Sequence, residues 1–228
     1  INNLEWTKAI LLTAEECKES NVNAINKGFC NLEKHIENIQ KFGLQPVVCI
    51  NAFPSDKQEE YDVLIELCAE KGVKAVVSTA FADGGKGAEK LAQAIVEQVA
   101  TASANYQPLY LNTASIESKI ETIATTIYGA DEVVYSALAN KQLQSIKELG
   151  FEHFSICMVK TPASFSDDEK MIGRPTGFTV TVREFEFASG AGFIIPLLGD
   201  VMRMPGLPKL PNATRIDIDD NGVISGLS

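Results

Sequence analysis

Histidine is nearly absent: the 228-residue chain carries only His35 and His153, together with a single tryptophan, Trp6. Two imidazoles give a His-based zinc centre little support. The five cysteines, Cys17, Cys30, Cys49, Cys68 and Cys157, form no Cys-x-x-Cys pair. An odd number scattered through helical and strand patterns reads as reduced core thiols of a cytosolic protein, not a disulfide framework or metal set. No apolar run approaches the roughly 20 residues that span a bilayer. Basic residues are also short, 20 against 30 acidic ones for a net charge of −10, which opposes nonspecific binding to phosphate backbones. The first residues lack a charged segment followed by an apolar one, so no export signal is visible, and the opening Ile1 reads as the interior of a longer protein. Phosphate-binding fingerprints are missing too. There is no Gly-x-Gly-x-x-Gly, and Asp83-Gly-Gly-Lys-Gly87 fails the Gly-x-x-x-x-Gly-Lys-Ser/Thr pattern because Gly87 stands where a magnesium-holding hydroxyl is needed.

What is present is an ordinary globular composition, 45% hydrophobic, in a chain long enough for one large unit or two modest ones. Apolar residues recur at helical spacing from Ile25 to Phe42, with Gly43 as a stop. Pro46–Ile50 is a continuous apolar run suited to a strand covered on both faces. A helix over Glu59–Lys71, a second buried strand over Ala75–Ser78 and a helix over Gly87–Ala100 follow. This alternation predicts right-handed parallel β-α-β units, with ligands at the carboxyl ends of the strands, Asn51 to Phe53 and Ser78 to Phe81. The small and polar stretch Thr101–Pro108 reads as a connection. Beyond it the sequence predicts helices over Ile116–Ile127 and Ala139–Leu149, a short strand over Ser155–Val159, and an alternating half-buried strand over Phe178–Phe187. The fold class is therefore α/β for residues 1–104, followed by a smaller α+β unit, 105–228.

Two phenylalanines directly follow the first two strands. Phe53 and Phe81 should stand at the same edge of a parallel sheet and form a slot for a flat ring, though both could equally be core residues. Asn51, ending a strand, is placed to read the edge of a base. The backbones of Ser78, Thr79 and Ala80 could complete that pocket or simply make a strand-end turn. Lys160, Thr161, Arg174 and Arg183 are either solvated or meet anionic groups. Asp167-Asp168 and the Asp217-Asp219-Asp220 group lie in polar, turn-like surroundings unsuited to acid/base pairing, and the spacing of a calcium loop is absent. The Gly87 loop either feeds a helix or holds an anion weakly at that helix's N-terminus.

The segment Gly173–Pro208, with its strand and its run Ala188-Ser-Gly-Ala-Gly192, together with Asn31–Gly43, Ile127-Tyr-Gly-Ala-Asp131, Gly150-Phe151 and Met204-Pro-Gly-Leu-Pro208, resembles the C-terminal part of formate–tetrahydrofolate ligases from about Lys27 onward. The resemblance implies the end of a parallel-sheet nucleotide-binding domain like that of phosphate-loop NTPases, then the smaller domain. It implies a cytoplasmic, homotetrameric enzyme joining formate to tetrahydrofolate with ATP cleavage, through formyl phosphate. The implied substrates are formate, ATP with Mg²⁺, and tetrahydrofolate, with no tightly bound cofactor. Phe53 and Phe81 match the aromatic pair that sandwiches the folate ring, the second commonly Trp and here Phe81. Asn51, Ser78, Thr79, Ala80 and the rigid turn Pro205-Gly206-Leu207-Pro208 match the nucleotide side. The phosphate loop of the family lies in its N-terminal portion and is not in this sequence, so no catalytic residue is assigned here. The chain alone should be incomplete, and the alternative is a noncatalytic folate- or nucleotide-binding or assembly module.

Overall fold

The computed structural model describes residues 19–101, 105–199 and 210–226. Its first element, α1 (Val22–Gln40), begins where Asn21 accepts a hydrogen bond from Ala24 N at 2.9 Å. Ile25, Phe29 and Ile36 form its buried stripe, and it ends ahead of Gly43 at φ 73°. Strand β1 (Val47–Asn51), helix α2 (Gln58–Glu70), strand β2 (Lys74–Ser78), the single turn α3 (Ala80–Asp83) and, after a 3-10 stretch Gly84–Ala88, helix α4 (Glu89–Thr101) follow in order. The parallel pair runs in register from Val47 opposite Lys74 to Asn51 opposite Ser78. One hydrophobic cluster joins Ile50, Ala52 and Val73 to Ile25, Phe29, Ile36, Tyr61, Leu64 and Cys68.

The expectation that the first strand is covered on both faces is corrected. Ile50 is buried against α1 and α2, but Cys49 on the opposite face is exposed and Val76 beside it is only half-buried. Helix α4 packs on that face, yet its own Ile95, Val96 and Val99 point outward at 47%, 68% and 76% exposure. Parallel sheets normally bury both faces, so this surface is underfilled. The reading of the cysteines as core thiols likewise holds only for Cys68, whose thiol is pushed up to about 11 by burial. Cys30 is half-buried, Cys49 and Cys157 are exposed, and Cys17 lies outside the described residues.

The second unit contains α5 (Ile116–Ile123), a π-helical turn Ala124–Tyr128, β3 (Glu132–Tyr135), α6 (Ala137–Glu148), β4 (Ser155–Ile156), β5 (Thr179–Ala188) and β6 (Phe193–Leu198). Ser115 and Ser136 cap the two helices, accepting from Ser118 N and Ala139 N. The sheet order is β3-β5-β6-β4, with β3 parallel to β5, β5 antiparallel to β6, and β6 parallel to β4. A separate cluster of Ile116, Ile120, Val180, Val182, Phe185, Ile194 and Leu198 fills the space between this mixed sheet and its helices. A small hairpin of β7 (Asp217–Ile218) and β8 (Ile224–Ser225) follows.

Where β5 was expected to alternate throughout, the alternation breaks after Val182, because the register shifts between Val182 and Glu184 and turns the strand at Arg183. The short strand expected over Ser155–Val159 regularly pairs only at Ser155 and Ile156, and returns as one bridge from Val159 to Leu197. Pro196 of β6 explains the gap. It has no N–H to offer β4 at that level, although its carbonyl accepts from Val159 N at 3.0 Å.

Helix α1 belongs to the first cluster but is fastened to the second unit. Lys34 Nζ and Asn38 Nδ2 donate to the carbonyls of Thr126 and Ile127 at 2.9 and 3.0 Å, satisfying the end of the π turn. Asn31 donates to Gly173 O at 3.0 Å, and Arg174 makes a two-pronged pair with Glu37 at 2.8 and 2.7 Å while reaching Glu33.

Candidate functional site

The carboxyl edge of the β1–β2 pair brings together Asn51, Phe53, Ser78, Thr79, Ala80 and Phe81. Asn51 and Ser78 are register partners, and Ala52 N donates across the pair to Ser78 O at 2.9 Å. The Asn51 side chain is half-buried and makes no hydrogen bond among the described residues, which leaves its amide available at the edge.

Phe53 sits in a turn held by one carboxylate. Asp56 accepts from Phe53 N at 2.8 Å and from the Tyr61 hydroxyl at 3.1 Å, while Asp56 N donates to Phe53 O at 3.0 Å. Tyr61 is buried, and burial first and the Asp56 charge second push its hydroxyl up to about 12, so it stays protonated and donating. Asp56 stands three residues after Phe53, close enough along the chain for its carboxylate to fold back onto the Phe53 N–H and fix the turn.

Phe81 stands on the single turn of helix and is 66% exposed. Its ring centroid lies 4.8 Å from that of Phe53 with the planes at 47°. The two rings thus meet, as adjacent strands require, but they touch each other in a tilted pair and are not held apart as an open slot. Neither is an ordinary core residue, since Phe53 is half-buried and Phe81 is outward.

The glycine-rich loop explains how Phe81 is presented. Thr79 N donates to Gly87 O at 3.1 Å and the Ser78 hydroxyl to the same carbonyl at 3.3 Å. A Cβ on Gly87 would lie 2.4 Å from the Thr79 carbonyl carbon and 2.6 Å from Ala80 N, so only glycine allows this approach. Thr79 Oγ1 donates to Asp83 Oδ2 at 2.7 Å, closing the turn. Gly87 therefore serves packing against the strand end, and the buried Ser78 and the closed Thr79 side chain leave Asn51 as the polar group with spare capacity.

The other sequence candidates are separated from this edge. Arg174 is occupied by Glu33 and Glu37, and Arg183 pairs with Glu184 at 2.9 Å. Lys160 turns inward, donating to the carbonyls of Thr161 and Ser164. Pro205, Gly206, Leu207 and Pro208 lie outside the described residues. Among the described residues no group of three or more His, Cys, Asp or Glu side chains is placed to hold a metal ion, and no helix is long and apolar enough to cross a membrane. The family model described as formate–tetrahydrofolate ligase matches residues 4–228 of the chain.

Proposed function

Because the chain belongs to the formate–tetrahydrofolate ligase family, we propose that it supplies the ring-binding edge of such a ligase and depends on a separate portion for phosphate chemistry. The carrying observation is the Phe53–Phe81 contact at 4.8 Å beside the unengaged Asn51 amide. In the reaction, a formate oxygen attacks the γ-phosphorus of ATP, giving formyl phosphate and ADP. The N10 amine of tetrahydrofolate then attacks the formyl carbon, loses a proton, and releases inorganic phosphate. Phosphorylation converts an unreactive carboxylate into an acyl electrophile, and the remaining demand is positioning and charge stabilisation.

In this reading Phe53 is the fixed wall and Phe81 the movable one. A pterin between them needs the rings about 7 Å apart, twice the usual carbon–carbon contact distance. The exposed Phe81, on one turn of helix, is the side that swings, while the Asp56–Tyr61 turn keeps Phe53 in place. Asn51 reads the adenine edge, with the backbones of Ser78 to Ala80 and the turn Pro205–Pro208 on the nucleotide side. Residues 1–104 act as the end of the nucleotide- and folate-binding domain and 105–228 as the smaller domain; the two separate hydrophobic clusters support that division.

The dependence on another portion rests on two features. No phosphate loop occurs in the sequence, and apolar surface stays exposed at Cys49 of β1 and at Val96 and Val99 of α4. We place the assembled enzyme in the cytoplasm as a homotetramer using MgATP. Calorimetric titration of the chain with tetrahydrofolate tests the ring-edge reading. Saturable binding of one folate is expected, and no binding by folded chain would overturn it.

A further inference from the structure

Away from the ring pair, a cavity of about 230 Å³ opens between α1 and the loop that follows β4. Asn31 and His35 line one wall, Lys160, Ser164 and Phe165 the other. The N-terminus of α1 meets the start of α2, with Asn21 N donating to Glu60 Oε1 at 3.0 Å. His35 lies 13 residues further along, roughly 20 Å at 1.5 Å per residue, so this cavity and the sheet edge are separate places.

Its charge is one-sided. Lys160 Nζ uses two of its three protons on the Thr161 and Ser164 carbonyls, sits 5.1 Å from the centre of the Tyr128 ring, and has no carboxylate within ion-pair distance among the described residues. The His35 ring packs on Phe165 at 4.9 Å, and the neighbouring Lys34 points its ammonium to Thr126 O. The acids of the surrounding elements are engaged elsewhere: Glu33 and Glu37 by Arg174, Glu33 also by Lys71, and Asp167 as acceptor from Thr181 N at 2.8 Å. Asn31 gives one amide proton to Gly173 O and keeps the other. The cavity thus gathers two cationic or potentially cationic groups, Lys160 and His35, and spare N–H donors, with room for a ligand several times the roughly 30 Å³ of a water.

We propose that this cavity is a binding site for a small oxyanion, a carboxylate or a phosphate group, held by Lys160 and His35 with Asn31 as the neutral donor. Burial in the free cavity already disfavours the charged forms of both groups. Burial first, then the Asp167 charge acting in the opposite sense, leave the Lys160 ammonium near a value of about 8. Packing of the His35 ring, followed by Lys160 and Lys34, lowers the imidazole below its ordinary value. A bound anion relieves both. The proposal does not rest on the ring-edge reading, and Lys160→Met should leave tetrahydrofolate binding unchanged.

The chain's two histidines make the test direct, because His153 is exposed, with Nδ1 3.2 Å from Gly150 O, and serves as an internal reference. The imidazole resonances are titrated by NMR against pH, alone and with formate, glutamate or inorganic phosphate in separate arms. At least one anion should raise the His35 midpoint by about one unit while His153 stays, as expected for an opposite charge at close range. The arm that succeeds identifies the source: a bare carboxylate, an amino-acid carboxylate, or phosphate. Lys160→Met should abolish the rise and Lys160→Arg should retain most of it. The proposal fails if His35 moves no more than His153 in every arm of the unmodified chain, or if the rise persists undiminished in a folded Lys160→Met variant.

Discussion

Removing either ring of the sheet-edge pair should separate ligand binding from stability. Phe81 is 66% exposed, so only about a third of its side chain is buried. Full burial of a phenylalanine contributes about 1.5 to 3 kcal/mol, which leaves roughly 0.5 to 1 kcal/mol for Phe81. Its tilted contact with Phe53 adds about 0.5 to 1.5 kcal/mol. Phe81→Ala should therefore lower unfolding stability by no more than about 2.5 kcal/mol. For a bound pterin, however, the same truncation removes one whole stacking wall, a loss of about 1 to 2 kcal/mol, or roughly tenfold in affinity at 1.4 kcal/mol per decade. Phe53→Ala should weaken binding about as much and stability somewhat more, because Phe53 is half-buried. Phe81→Trp should preserve or strengthen binding through its larger face. The assay is calorimetric titration with tetrahydrofolate beside urea unfolding of each variant. Unchanged folate affinity in both alanine variants, with folding intact, refutes the slot.

Gly87→Ala should displace the Phe81 turn, since its Cβ would strike backbone at 2.4 and 2.6 Å, whereas Gly85→Ala, with nothing within 4 Å, should be harmless. A loss of about 1 to 3 kcal/mol in urea unfolding and weaker folate binding are expected for Gly87→Ala only. Lys119, fully buried, donates to the carbonyls of Glu152 and Phe154 at 2.6 and 3.1 Å. Lys119→Met relieves the buried charge but orphans both carbonyls, so a net loss of about 1 to 3 kcal/mol should appear as a lower urea midpoint; an unchanged midpoint contradicts this. Burial raises Tyr61 and Tyr128 to about 12 and also raises Tyr135, so the folded state favours their neutral forms. Stabilisation from these hydroxyls is complete below the unfolded value near 10 and is lost as pH climbs from 10 toward 12. Ultraviolet titration should show these tyrosines ionising late and together with unfolding; early, independent ionisation would contradict their burial.

Much of the first unit was legible because its signals are local. The apolar spacing of α1, the stop at Gly43 and the two strand runs appear within three residues of where they were read. The meeting of Phe53 and Phe81 followed from placing one aromatic after each of two adjacent parallel strands. The tilt that closes the pair did not follow, because it depends on Gly87 pressing against Thr79 across a loop. In the second unit, β3 was hidden by its length of four residues and β6 by Pro196, a residue that argues against an inner strand. The exposure of Cys49 could not be read from a run of apolar residues, since local sequence specifies that a strand is apolar but not what covers each face. Arg174 was marked as a possible anion contact, yet its partners Glu33 and Glu37 lie more than 130 positions earlier, beyond any local pattern.

The most direct test of the central claim, a folate-binding edge without its own phosphate machinery, is a turnover assay on the homogeneous chain with Mg²⁺, ATP, formate and tetrahydrofolate. The account predicts saturable folate binding but no ATP-dependent 10-formyltetrahydrofolate, with synthesis appearing when a segment bearing the phosphate loop is added. Sustained product formation by the chain alone would contradict it.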